Sequence, residues 1–255
     1  MKYTYRWQEL NKRLFRICDS MCVPLRQRRG HDDWEGICYT FLSRGARTLR
    51  GVSLLYGQDL RECGQPLVRS LFENRVNFDW FMKLAETNRE DAIRRYKDAN
   101  HLQWIKQSND WKSNHLPASS DPAEAEKVRQ NEAAIKDRYS DGEFSEMQRL
   151  GFSGLSIKQR ADELKYGPLY CVAYRTFSRD VHASDYAEQL ALLRGTDIAG
   201  LPELLENLSF CTAQYSVHGI AEKVDSVFSL GATDKLRDFK VQHEKLARDE
   251  TKLIV

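Results

Sequence analysis

One stretch of the sequence, YRTFSRDVHAS at 174–184, collects side chains that can bind and cleave a phosphodiester. Arg175 and His182 are seven positions apart, so on a helix they differ by only about 20° around the axis. Ser178 and Arg179 fall between them, and all four side chains can therefore face one partner. A helix over this stretch would present one titratable base and two permanent cations.

The chemistry that these residue types favour is metal-independent cleavage of RNA. Histidine is the only side chain whose unperturbed pKa lies near neutrality, so His182 is a candidate general base or acid. Arginine stays protonated and offers a planar fork of donors, which suits Arg175 and Arg179 as ligands of a charged phosphorane. Attack by the ribose 2′-hydroxyl needs neither a metal nor a cofactor, and DNA lacks that hydroxyl.

Two lines of polar residues have the i, i+4, i+8 spacing of a single helix face. The first is Tyr174, Ser178 and His182, and the second is Arg69, Glu73 and Asn77. The second lies in the most apolar predicted helix, where a charged pair needs further polar partners. We expect it either to join helices as a structural polar network or to support a site formed with the first line. The structural alternative applies to the first line too, since such side chains can simply satisfy buried polar groups.

The composition is that of a folded chain, with 41% hydrophobic and 30% charged residues. A formal net charge of +2 gives little reason to expect nonspecific coating of DNA. Arginines nevertheless gather in the N-terminal third, at Arg26, Arg28, Arg29, Arg44, Arg47, Arg50, Arg61, Arg69 and Arg75. They form either a local patch for a polyanion or a solvated helical face.

The sequence predicts a cytoplasmic protein without a membrane segment. It has no run of about 18 uninterrupted apolar residues, and its first residues lack the apolar core of a signal peptide. The six cysteines are scattered, and only Cys18 and Cys22 are close enough to share a helix face. No histidine or third cysteine lies near them at a zinc-like spacing, which favours buried apolar thiols over a metal site.

Apolar periodicity predicts helices along most of the chain. The first covers residues 3–22 and ends at Pro24, a second runs from Trp34 to Val52, and a third begins near Pro66. The chain is expected to loop around 142–154, where three glycines fall. A charged helix at 233–250 closes the sequence.

No run of residues alternates in the manner of a strand, so the predicted class is all-α. We expect a helical bundle of about seven to nine helices, with long central antiparallel helices. The whole of 1–255 is predicted to form a single domain, on which the helices at 3–22 and 233–250 pack or from which they extend.

The segments RSLFEN (69–74), LSIKQRADEL (155–164) and YRTFSRDVHAS together resemble the bacterial DUF5677 family over roughly residues 35–230. The resemblance implies a helical domain with a polar Arg and Glu on one helix and a Tyr, Ser and His on another. The matching residues are Arg69, Glu73, Tyr174, Ser178 and His182. The family supplies no established activity.

The chain is also similar, more loosely, to the HEPN superfamily of helical-bundle proteins. Many of these are metal-independent ribonucleases of toxin and antiphage systems, with an Arg and a His separated by four to six residues. Arg175 and His182 match with six residues between them, and Thr176 takes the polar place after the Arg. This similarity implies a ribonuclease of defence or stress response, a homodimer that brings two motifs together, and a partner or antitoxin protein. The alternative is a noncatalytic helical interaction or regulatory protein.

Overall fold

A computed structural model describes residues 2–28, 32–114, 122–176 and 201–251 of the chain. These residues form ten α-helices and one π-helical turn, and no strand occurs within the described ranges. The predicted all-α class is confirmed. The described helices outnumber the seven to nine that were predicted, because one segment expected to loop is helical.

The helices are α1 (Lys2–Arg28), α2 (Asp33–Gly57), α3 (Arg61–Thr87), α4 (Arg89–Ser113), α5 (Pro122–Lys136), α6 (Asp141–Leu150), α7 (Ile157–Glu163), α8 (Gly167–Tyr170), α9 (Leu201–Phe228) and α10 (Thr233–Thr251). The π turn, Cys171–Thr176, directly continues α8. The chain divides into two compact units, one made of Met1–Asp79 with Ala161–Val255 and one of Trp80–Arg160. The single domain over 1–255 stays a prediction.

In the first unit, α1 and α2 pack side by side and antiparallel. Asn11 donates to the Ser53 hydroxyl at 2.9 Å, and the Arg50 guanidinium lies over the Phe15 ring. The apolar residues that recur at steps of three and four in α1 are all buried: Trp7, Leu10, Leu14, Ile17 and Met21. Burial of such a stripe is the main source of stability for a helix of this kind.

Helix α3 contacts both α2 and α9. Its Asn74 side chain donates to the Phe41 carbonyl of α2 at 3.0 Å. Near its start Arg61 pairs with Glu206 of α9 at 3.3 Å, and further along Asp79 pairs with Lys223 of α9 at 2.8 Å. These contacts run in the same order along both helices, so α3 is parallel to α9 and contacts it over more than four turns.

Two prolines lie inside helices that were predicted to end or begin at them. Helix α1 continues through Pro24 to Arg28, and α3 begins five residues before Pro66. A proline inside a helix costs about 3 kcal/mol or more because it removes a hydrogen bond and crowds the preceding turn. Burial offsets that cost in α1, where Leu25 is fully buried just beyond the proline.

The second unit contains the end of α3, helices α4 to α6 and the first residues of α7. Phe81 and Phe152 both contact the Tyr96 ring, at centroid distances of 5.5 and 5.4 Å. The prediction of a loop around residue 142 is wrong, since Asp141–Leu150 is helix α6. Ser140 and Glu143 form a capping box that satisfies the backbone N–H groups at the start of this helix.

The charged C-terminal helix that was predicted is present as α10, which packs on α9 and α1. His218 of α9 contacts the Leu236 carbonyl at 3.1 Å, and Trp7 of α1 meets His243 edge to face. Within the described ranges, no helix has both the length and the hydropathy for a membrane crossing.

Candidate functional site

Arg69 and Glu73 of α3 meet Tyr174 of the π turn. The Arg69 Nε donates to Glu73 Oε1 at 3.0 Å, while Nη2 donates to the Tyr174 hydroxyl at 2.7 Å. The guanidinium carbon also lies 4.0 Å from the centroid of the Tyr174 ring. The Arg69 and Glu73 side chains are 20% and 37% exposed, so this cluster lies at the edge of the unit.

A second cluster lies deeper along α3 and joins three parts of the unit. Arg75 Nε donates to Asp79 Oδ2, and the Tyr166 hydroxyl donates to the same oxygen at 2.6 Å. Arg75 Nη2 in turn donates to the Tyr166 oxygen at 3.0 Å. Lys223 Nζ lies 2.8 Å from Asp79 Oδ1. Arg75 is 7% and Asp79 1% exposed, so one buried carboxylate holds two cations and a phenol.

The charges in this buried cluster are fixed by their neighbours. Burial lowers the pKa of Arg75, but the Asp79 carboxylate and the Tyr166 hydroxyl together outweigh this effect, and the net shift of that pKa is upward. Burial raises the pKa of the Tyr166 phenol and, although Arg75 opposes this, Asp79 adds to it. The guanidinium therefore stays charged and the phenol stays protonated. Gly219 of α9 makes room for them, because a Cβ there would overlap the Arg75 guanidinium.

Three tyrosines at intervals of four align the α8 and π segment with α3. Tyr166 contacts Arg75 and Asp79, the Tyr170 ring lies 6.4 Å from the Phe72 ring, and Tyr174 contacts Arg69. The two segments therefore run antiparallel. We call the three tyrosines with these partners the tyrosine register. Its rings also meet each other, since those of Tyr170 and Tyr174 stack at 5.0 Å.

The π turn is the structural feature that distinguishes this segment from an ordinary helix. Turns of this type are rare and are frequently found at functional sites. The turn carries Tyr174 and the backbone of Arg175, whose side chain lies outside the described part of the structure. Ser178, Arg179 and His182 also lie outside the described residues.

The structure thus brings together three of the predicted site residues, Arg69, Glu73 and Tyr174. Asn77 lies half-buried on α3, one turn beyond Glu73. The sequence reasoning missed Tyr166, Asp79 and Lys223. A usable signal was present, because Arg75 and Asp79 repeat the Arg and acid spacing of Arg69 and Glu73, and the tyrosines at intervals of four continue the predicted line toward the N-terminus.

Among the described residues, no group of three or more His, Cys, Asp or Glu side chains is arranged to hold a metal ion. Cys18 is buried and Cys22 is half-buried. Burial raises the pKa of both thiols, that of Cys22 to about 11. Both are therefore protonated at neutral pH.

The family match covers the α3 residues and the tyrosines of both clusters. The sequence profile of DUF5677, described as a family of unknown function, matches residues 35–191. This range includes α3 and the whole tyrosine register, and it ends before α9, which supplies Lys223 and Gly219. No curated protein and no solved structure matches the chain. Because the matched range is more than half of the 255 residues, the chain belongs to the DUF5677 family.

Proposed function

We propose that this chain is a HEPN-like, metal-independent ribonuclease that acts in the cytoplasm in defence or stress response. His182 transfers protons, and Arg175 and Arg179 bind the phosphate. The observation that carries the proposal is the anchoring of Tyr174. It is the residue immediately before Arg175, and Arg69 fixes it through a hydrogen bond of 2.7 Å and a cation–π contact. A fixed neighbour of this kind can orient Arg175 for binding of a phosphate group.

The exposure of this cluster also supports a site. Arg69 and Glu73 are partly open to solvent, whereas Arg75 and Asp79 further along α3 are buried. A substrate can reach Arg69 and Glu73 at the Tyr174 end of the tyrosine register more readily than Arg75 and Asp79 at the Tyr166 end. Supporting residues on a rigid helix hold catalytic groups to a narrower range of positions than a loop can.

The proposed reaction is an internal transfer of the phosphoryl group. His182 takes the proton of the ribose 2′-hydroxyl, the 2′ oxygen attacks phosphorus, and the bond to the 5′ oxygen breaks. Arg175 and Arg179 neutralise the charge that develops on the phosphorane oxygens. The departing 5′ oxygen takes its proton from the imidazolium of the partner's His182 in a homodimer. The products are a 2′,3′-cyclic phosphate and a 5′-hydroxyl.

A noncatalytic interaction or regulatory protein is the second candidate, and a specific observation favours it. Both arginines in the two clusters of α3 are already engaged inside the unit, Arg69 by Glu73 and Tyr174 and Arg75 by Asp79 and Tyr166. In this alternative the tyrosine register only stabilises the packing of the helices, and the chain acts by binding a partner or antitoxin protein.

Purified chain incubated with mixed RNA in EDTA separates the two candidates. Arg175→Ala and Arg179→Ala are each expected to slow cleavage about 10- to 100-fold, since a hydrogen bond to a charged group contributes about 1.5–3 kcal/mol. Arg237→Ala, on the exposed surface of α10, is the matched control and should cleave like wild type. RNA left intact by wild type, with a lower melting temperature in Arg175→Ala, would support the second candidate instead.

A further inference from the structure

A groove of about 250 Å³ runs between α1 and α2, away from the tyrosine register. Phe15, Asp19 and Arg26 line it from α1, and Tyr39, Arg47 and Arg50 line it from α2. On each helix the first and last lining residues are eleven positions apart, so the groove extends about 16 Å along the helix axes.

The charge of the groove is predominantly positive, since three arginines and one acid line it. Arg26, Arg47 and Arg50 are exposed, and among the described residues none of them forms an ion pair. The one acid in the lining, Asp19, forms no ion pair with them either. In contrast, Arg61, Arg69 and Arg75 all pair with acids. Three unpaired guanidiniums along one groove form an anion-binding surface.

Aromatic rings accompany these charges at both ends of the groove. The Arg50 guanidinium carbon lies 5.6 Å from the centroid of the Phe15 ring, and Tyr39 lies on α2 eleven positions from Arg50. Both rings are half-buried, so each has a fixed position and an accessible part. Charged grooves interleaved with aromatic side chains are typical of proteins that bind single-stranded nucleic acid.

We propose that this groove binds the sugar–phosphate backbone of single-stranded RNA, with Arg26, Arg47 and Arg50 contacting phosphates. The identity of the ligand rests on the proposed function, for which RNA is the substrate. The Phe15 and Tyr39 rings in the lining favour RNA over an acidic helix of a protein partner, because bases stack on aromatic side chains and acidic side chains do not. The groove would hold the strand outside the site of cleavage.

The test is binding of a fluorescein-labelled 10-nucleotide 2′-O-methyl RNA, which has no free 2′-hydroxyl and cannot be cleaved. Fluorescence anisotropy of the full chain gives the Kd over a series of salt concentrations. Arg47→Ala and Arg50→Ala are each expected to weaken binding about 5- to 10-fold and to reduce the slope of log K against log salt by about 0.7. Both side chains are exposed, and the melting temperature of each variant verifies that it folds.

Arg44→Ala is the matched control, since Arg44 is an exposed arginine of α2 that does not line the groove. It should change the Kd less than twofold. The proposal is overturned if Arg47→Ala and Arg50→Ala bind like wild type, or if Arg44→Ala weakens binding as much as they do. Polyglutamate and unlabelled RNA are also compared as competitors at the same concentration of charge. If polyglutamate displaces the labelled RNA equally well, the proposal is overturned, because the groove would then select only for charge.

The outcomes distinguish this proposal from the proposed function. If binding of the uncleavable RNA depends on Arg47 and Arg50 but ordinary RNA is not cleaved, the groove is a binding site and the proposed ribonuclease activity is wrong. If ordinary RNA is cleaved, and Arg47→Ala and Arg50→Ala change neither cleavage nor binding, the proposed binding site is wrong and the proposed ribonuclease activity stands.

Discussion

Replacing His182 with Ala is expected to reduce the rate of RNA cleavage by about 10²- to 10⁴-fold, the usual contribution of a positioned general acid or base. Under the proposed mechanism His182 removes the 2′-hydroxyl proton, and in the second copy it protonates the leaving oxygen. The variant therefore loses both transfers. The measurement is the initial rate of cleavage of a labelled oligoribonucleotide in EDTA, beside the melting temperature.

The control for this prediction is chemical rescue. His182→Gly leaves a space at the ring, and added imidazole should restore part of its activity in proportion to concentration. If His182→Ala is as active as wild type, His182 takes no part in the reaction. Loss of activity without rescue, accompanied by a fall in melting temperature of several degrees, would instead assign His182 a role in stability.

Replacing Asp79 with Ala is expected to lower the free energy of unfolding by about 3–5 kcal/mol. Asp79 is 1% exposed and interacts with Arg75, Tyr166 and Lys223, so its removal leaves a buried guanidinium without its counter-charge. The phenol of Tyr166 also loses its acceptor. Urea denaturation followed by circular dichroism measures the difference.

Glu73→Ala is the matched control because it removes the acid of the neighbouring i, i+4 pair. That pair is partly exposed, so the expected loss is only about 0.2–1 kcal/mol. The double variant Arg75→Met with Asp79→Leu should be more stable than Asp79→Ala, since it removes both members of the buried pair and fills their space. Equal losses in Asp79→Ala and Glu73→Ala would contradict the burial-based account of the two clusters.

The parts of the fold that the sequence predicted well are those with a strong local pattern. Apolar residues recur at steps of three and four in α1 and α2, and these residues are buried. Helix α6 was missed although its signal is local as well. Ser140 and Glu143 have the spacing of a capping box, but the glycines around them suggested a loop.

The prolines show where local rules fail. Propensity alone ends a helix at Pro24 and begins one at Pro66. The observed helices continue through both positions, because packing of residues such as Leu25 offsets the lost hydrogen bond.

Residues of the candidate site were predicted from the sequence, but most of the contacts between them were not. Arg69, Glu73 and Tyr174 were singled out by spacing, and they meet. The buried cluster was not found, because Tyr166 and Asp79 are 87 positions apart and no local pattern specifies that pairing. The π turn also has no visible sequence signal. Contacts over such separations are determined by the packing of whole helices.

The most direct test of the proposed reaction uses an oligodeoxynucleotide that contains a single ribonucleotide, incubated with wild-type chain in EDTA. The account predicts cleavage only on the 3′ side of the ribonucleotide, giving a 2′,3′-cyclic phosphate and a 5′-hydroxyl that mass spectrometry identifies. An intact oligonucleotide, or products with a 3′-hydroxyl and a 5′-phosphate, would contradict it.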